Sequence, residues 1–402
     1  MAAPGPVTRA PALRPQPGTA LYVHLPFCKA KCTYCDFYSL AGEGQDLTGT
    51  LEALLAEAAR RSPQHPRTVF LGGGTPTFYS ADELARLIHG LDRWSSFRSS
   101  AVQVTSECNP ESLDLDKARA LRELGVDRLS IGVQSLDPRI LELFGRVHDV
   151  EDSLAAFHAA RAAGFTRVSI DLIYGVPGQE LADWERDLER LVALRPDHVS
   201  AYQLTFEEGT PLATRVAEGS LCRLSEEQEL AFFERTGALL AGGGLESYEI
   251  SNFSTSGQQC LHNINYWSNG PYVGIGPSAV SKIGSTRFGN PRSLPAWLAA
   301  VASDRFPAAW EETPEPPTRL AETWWLGLRT RAGVEPTAAR DAAGLALADR
   351  DDPALDLAQS LVGEGFLEHA AGRFRLSERG WPLADAVAGR FFAACSARAP
   401  GA

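Results

Sequence analysis

Ala20-Leu21-Tyr22-Val23-His24-Leu25-Pro26-Phe27-Cys28-Lys29-Ala30-Lys31-Cys32-Thr33-Tyr34-Cys35 joins an apolar, β-favouring run to a loop that carries three thiols. The run 20–25 reads as a strand stopped by Pro26, which has no N–H for a ladder. Five further runs of this kind stand at 68–71, 102–107, 128–133, 168–173 and 198–204, with amphipathic stretches at 47–61, 81–91, 115–124, 151–163 and 181–194 between them. Short apolar runs alternating with helix-period stretches predict an α/β chain of about six strand-helix units around a parallel sheet. Such a chain winds into a barrel, complete or partial, or into a doubly wound open sheet; in both, ligands bind at the C-terminal ends of the strands. The three cysteines stand at the first of those ends.

The 402 residues carry 38 Lys and Arg against 50 Asp and Glu, a formal charge of −12, and 44% are hydrophobic. That composition excludes a disordered or collagen-like chain. It offers no general basic field, so no nucleic-acid partner is expected, and no apolar run reaches membrane-spanning length. Residues 1–18 hold two Arg, no acid and five prolines, which forbid an amphipathic helix and leave a flexible leader without an export signal. The expected compartment is the reducing cytoplasm. The strand-helix pattern occupies 19–245. Irregular, aromatic-rich sequence follows at 246–300, then a stretch punctuated by Pro307, Pro314, Pro316 and Pro317. Residues 301–395 read as a smaller, mainly helical, winged-helix-like domain, with helices at 319–329 and 355–364 and a hairpin near 372–376.

Three thiolates spaced C-x3-C-x2-C on one loop can converge on a metal centre. They could form a zinc site completed by Cys108 or a histidine, or an iron–sulfur cubane with one iron left open; three unrelated core cysteines are the remaining reading. Further along, Gly72-Gly73-Gly74-Thr75-Pro76-Thr77 follows the second strand, either letting backbone approach a ligand or making a tight turn. Glu107 ends the third strand, Gln134 the fourth, and Asp171 lies in the fifth. Polar side chains ending apolar strands are costly in a core without partners, and converging at one face they suit the polar parts of a nucleoside ligand.

The cysteine spacing, with Tyr34 before the last thiol and strand-helix repeats behind it, resembles the radical S-adenosylmethionine superfamily. The blocks spread over 20–290 are most similar to the oxygen-independent coproporphyrinogen III oxidase group, HemN and the HemW-like proteins. This resemblance implies a partial (β/α)6 TIM-like barrel and a 4Fe-4S cluster held by Cys28, Cys32 and Cys35, its open iron chelated by S-adenosylmethionine. It implies that Tyr22, Tyr34, Gly73, Gly74, Thr75, Glu107, Gln134, Arg146 and Asp171 line the S-adenosylmethionine site, with the Arg146 guanidinium toward the methionine carboxylate. A reductant such as a flavodoxin or ferredoxin is the implied electron source.

Within that group the decarboxylating oxidase has a further cysteine two residues after the third. Here Cys35-Asp36-Phe37-Tyr38-Ser39 puts Phe37 there, which argues against coproporphyrinogen decarboxylation and leaves the assignment as an enzyme open. Cys260-Leu261-His262-Asn263-Ile264-Asn265-Tyr266-Trp267 carries a His-Asn-x-x-Tyr-Trp pattern that resembles the HemW-like branch, described as haem chaperones. The resemblance implies haem as a further cofactor, taken from a donor and delivered to acceptor proteins, a membrane-protein acceptor included. His262 could serve as an axial ligand and Tyr266 and Trp267 could pack on a porphyrin, while Cys260 is an alternative ligand and His262 equally suits a structural hydrogen bond. The only methionine is Met1, which excludes His/Met ligation within one chain. The sequence thus reads as a haem chaperone, with an oxygen-independent coproporphyrinogen III oxidase or another radical enzyme as the alternative and no residue assigned to catalysis.

Overall fold

The computed structural model describes residues 18–303, 308–345 and 352–396; the leader read at 1–18 lies outside them except for Gly18. Six strands carry the architecture: β1 (Ala20–Leu25), β2 (Thr68–Gly73), β3 (Gln103–Cys108), β4 (Arg128–Gln134), β5 (Val168–Tyr174) and β6 (His198–Gln203). They pair in parallel and in chain order. A doubly wound sheet reverses its order at a switch point. This one never reverses, which is the winding of a barrel. Strand β2 runs two residues beyond its sequence reading because Gly72 and Gly73 stay in register with His24 and Leu25 of β1.

Helices α1 (Leu47–Arg61), α2 (Ala81–Ser95), α3 (Leu115–Glu123), α4 (Val150–Ala162) and α5 (Leu181–Ala193) fill the crossovers. Four of the five start at side chains that accept from orphan backbone N–H groups: Asp46, Asp114, and the capping boxes Ser80/Glu83 and Asp149/Asp152. Helix α2 outlasts its sequence reading because Leu91 and Ser95 are both buried and the Ser95 hydroxyl donates to the Leu91 carbonyl. The period-two alternation of β4 shows how the layers divide. Leu129, Ile131 and Val133 enter the main apolar core, whereas Arg128, Ser130, Gly132 and Gln134 line an interior cavity.

The stretch 246–300 is less irregular than its sequence suggests. Strands β7 (Glu246–Ser247) and β8 (Asn252–Ser254) extend the β6 edge in antiparallel fashion, while β9 (Tyr272–Ile275) adds in parallel to β1. Antiparallel β10 (Val280–Ile283), β11 (Thr286–Gly289) and β12 (Trp310–Glu312) complete a sheet of twelve described strands. Strands of two to four residues are too short to show a period. Between the two edges, α6 (Leu261–Trp267) is held at the N-terminal ends of the strands: Leu261 N–H donates to Gln103 Oε1 at 2.8 Å and Gln103 Nε2 to the Gln259 carbonyl at 3.0 Å.

Beyond β12 the chain builds a second apolar core from four helices (Pro316–Leu328, Pro336–Ala343, Pro353–Gly363 and Ala384–Ser396) and a hairpin. Trp324 stacks on Phe391 at 4.9 Å within it. The hairpin pairs Leu367–Ala370 with Arg373–Leu376 around Ala371 and Gly372, both at positive φ, as a two-residue turn requires. Backbone bonds from Ile250 to Arg329 and from Arg331 to Tyr248 fasten this part to the barrel. No described helix is long and apolar enough to cross a membrane.

Candidate functional site

Inside the strands lies a cavity of about 680 Å³. Cys28, Cys32 and Cys35, all free thiols, line it together with Tyr22, Tyr34, Gly73, Gly74, Thr75, Glu107, Gln134, Arg146 and Asp171. The structure therefore brings to one space every residue that the family resemblance assigned to the cluster and to S-adenosylmethionine. Cys108 is buried and its Sγ contacts the Ser130 carbonyl at 3.4 Å. Among the described residues no three His, Cys, Asp or Glu side chains converge closely enough for a single metal ion.

The cysteine loop is pinned from outside. Thr33 donates its N–H to the Phe144 carbonyl and its hydroxyl to the Leu143 carbonyl, and the Tyr34 ring packs 4.6 Å from that of Phe144. From the glycine segment, Gly74 N–H donates to the Leu25 carbonyl at 2.7 Å and Thr75 N–H to the Phe27 carbonyl at 2.9 Å. A Cβ on Gly74 would lie 2.7 Å from the Phe27 oxygen, so this glycine serves the approach of the cysteine loop's own backbone. Gly73, at φ +103°, would drive a Cβ into the His24 ring. Burial pushes the Cys28 thiol up to about 11 and also raises Cys35, so without a positive centre these sulfurs hold their protons. An iron–sulfur cluster supplies that centre, and three half-buried sulfurs on a rigid loop at a cavity wall fit one.

The polar wall is a connected network. Arg146 donates to Cys32 Sγ at 3.3 Å, Asn109 Oδ1 at 2.8 Å and the Gly132 carbonyl at 2.9 Å, and Asn109 in turn donates to Thr75 Oγ1 at 2.8 Å. The buried Nε of Arg146 has no acceptor among the described residues, which fits a ligand that brings one. Gln134 ends β4 at φ +66°, next to a register shift against β5, so strain turns its side chain out of the ladder. Asp171 Oδ1 accepts from the Ser200 hydroxyl at 2.7 Å and from Ser169 at 3.0 Å, and Oδ2 from Ser130 at 2.8 Å, yet burial still raises its pKa. Burial, and then the Asp171 charge, push Glu107 up to about 7; the Gly73 N–H on Glu107 Oε2 and the Arg128 charge oppose the shift. His24 Nε2 faces the Tyr38 carbonyl, so it carries the proton and Nδ1 accepts from the Tyr22 hydroxyl; burial lowers this imidazole to about 4 and keeps it neutral.

The His-Asn-x-x-Tyr-Trp segment divides. His262 and Tyr266 line the cavity, whereas Trp267 does not: its ring lies under the Arg329 guanidinium, 5.0 Å away. The His262 ring is buried, with Nδ1 bonded to Thr68 Oγ1 at 2.9 Å and Nε2 to the Tyr266 hydroxyl at 3.0 Å. Burial and the Arg128 charge lower it to about 3. As folded, the neutral ring offers no spare lone pair, and an axial-ligand role requires one of these bonds to break. Tyr266 and Trp267 face different surroundings and do not form one stacking surface. Sequence reasoning missed Asn109, Arg128, Ser130 and Ser200; the alternation of Arg128, Ser130, Gly132 and Gln134 was the signal available for two of them.

Residues 22–191 match the model of the Radical SAM superfamily and residues 315–383 that of the HemN C-terminal domain. "Heme chaperone HemW" of Bacillus subtilis (strain 168) is 34% identical over 92% of this chain and 98% of its own length. "Heme chaperone HemW" of Mycobacterium tuberculosis (strain CDC 1551 / Oshkosh) is 36% identical over 94% and 96%. Among solved structures, the coproporphyrinogen III oxidase HemN of Escherichia coli superposes with a TM-score of 0.82 over 94% of this chain and 91% of its own, at 24% identity, a likeness of fold.

Proposed function

The chain belongs to the HemW family of the radical SAM superfamily, and on that premise we propose that it is a haem chaperone, with a 4Fe-4S cluster and S-adenosylmethionine bound in its barrel, that delivers haem to acceptor proteins. The observation that carries the reading is near full-length similarity to HemW proteins in a chain whose cysteine loop has Phe37 where the oxidase has its extra cysteine. Phe37 is 72% exposed. The seven free thiols suit a reducing compartment.

Cys28, Cys32 and Cys35 would hold the cluster. Bound there, S-adenosylmethionine supplies a route to a carbon-centred radical on one-electron reduction. The chain's own part is placement. Arg146, fixed by Asn109 and Gly132, presents its unpartnered Nε to the methionine carboxylate; Glu107, Gln134 and Asp171 offer acceptors to ribose and amino groups.

Glu107 sets a pH dependence. A carboxyl with its pKa raised to about 7 is largely protonated below that pH and then accepts poorly from a ligand's N–H or O–H. S-adenosylmethionine affinity is therefore expected to rise between about pH 6 and pH 8, and Glu107→Gln to flatten the profile in calorimetric titrations. A profile unchanged by the substitution would remove Glu107 from the ligand's contacts.

Incubation of the reconstituted protein with coproporphyrinogen III, a reductant and S-adenosylmethionine separates the two readings. The chaperone reading expects no protoporphyrinogen. Its catalytic formation would replace that reading with the oxidase.

A further inference from the structure

Arg128 enters the site described so far only as a charge acting on Glu107 and His262. It opens β4 at the opposite end from Gln134, is only 2% exposed, and lines the same cavity. Arg146 has three hydrogen-bond acceptors. Arg128, among the described residues, donates no side-chain hydrogen bond and has no carboxylate within ion-pair distance. The carboxylates that act on it, Asp171 and Glu107, accept no hydrogen bond from it; Asp171 accepts from the Ser130, Ser169 and Ser200 hydroxyls and Glu107 from the Gly73 N–H. Tyr248, Tyr202 and Cys260 are its other electrostatic neighbours, and burial keeps those tyrosine hydroxyls protonated.

The guanidinium belongs to the cavity wall and has no protein acceptor among the described residues, and its fixed fork matches a carboxylate. Six residues of strand, about 20 Å along β4, separate the Arg128 and Gln134 backbones, so the two ends of the cavity meet different parts of its contents. We propose that Arg128 anchors a second subsite, at the end of the cavity away from the cysteine loop, which binds the carboxylate of a small-molecule ligand. A tetrapyrrole propionate and a free organic acid share this chemistry. The subsite does not depend on the haem reading.

The test uses the full-length reconstituted holoprotein with three probes: haem, haem dimethyl ester, in which the propionates are uncharged, and succinate. If the carboxylate belongs to a tetrapyrrole, haem binds at least about tenfold more tightly than its ester, and Arg128→Gln removes that difference while Arg128→Lys restores part of it. If it belongs to a free acid, succinate binds and Arg128→Gln weakens it about tenfold or more, with haem and ester indistinguishable. Haem and ester binding equally, together with no succinate binding to the unsubstituted protein, overturns the subsite, and this outcome needs no variant to fold. Failure of haem and ester to bind at all sinks the chaperone reading and leaves succinate to decide the subsite.

Discussion

Cys32→Ala, reconstituted anaerobically with iron and sulfide, is expected to come out colourless, with iron content near zero, where the unsubstituted protein holds about one cluster per chain. A cubane on three thiolates has no ligand to spare, and no described side chain can take over. Cys108 is buried against the Ser130 carbonyl, Cys260 is buried beside α6, and Cys222 and Cys395 do not line the cavity. Cys32 also accepts from Arg146, so the same substitution loosens the wall where S-adenosylmethionine is expected. Cys222→Ala, at an exposed thiol, keeps the full cluster and serves as the control. Iron retained at wild-type level in Cys32→Ala would remove this cysteine from the ligand set.

Glu57→Ala is expected to cost about 3–5 kcal/mol of stability, read from the shift in the denaturant midpoint. This carboxylate of α1 is fully buried and pairs with Arg61 at 2.8 Å. It also accepts from the Gly276 N–H at 2.9 Å and from Asn290 Nδ2 and Trp297 Nε1 at 2.8 Å each. It thereby fastens the β9 edge, which is added beyond the six barrel strands, to the first helix. Removal leaves the Gly276 N–H and the Trp297 Nε1–H without their shared acceptor and takes the carboxylate from beside the Arg61 guanidinium, which keeps Asn290 and Ser281. Burial raises the pKa of this carboxyl, against the Arg61 charge and the three donors, so its native state is the one favoured at acid pH. A group of this kind contributes most below its unfolded pKa and loses that contribution as pH rises through the folded one. The cost of Glu57→Ala should accordingly not fall on mild acidification. A loss under about 1 kcal/mol would show that the carboxylate is not what fastens the β9 edge to α1.

The strand-helix alternation was legible because helix-period stretches of ordinary length separate short apolar runs, but it left a barrel and a doubly wound sheet both open, and the barrel came with the family resemblance. The closing strands were not legible, since β7 to β12 are at most four residues long and owe their place to pairing with β1 and β6. Within the site, Glu107, Gln134 and Asp171 stood out as polar residues on apolar strands. What they hold came from the resemblance of the cysteine loop. Arg128 and Asn109 escaped notice for opposite reasons: Arg128 begins its strand, where charge is unremarkable, and the bridging role of Asn109 between Thr75 and Arg146 exists only in three dimensions. The sequence reading let Tyr266 and Trp267 pack on one porphyrin because it assigned no helix to this stretch; the two residues lie on the short helix α6, where successive residues point about 100° apart. Tyr266 consequently meets the cavity and Trp267 meets Arg329.

The chaperone reading stands or falls on haem. Titration of the cluster-loaded protein with haem, in the presence of S-adenosylmethionine, is expected to give a shifted Soret band that saturates at about one haem per chain. A spectrum that remains the sum of free haem and intact cluster, at haem well in excess of protein, would contradict it.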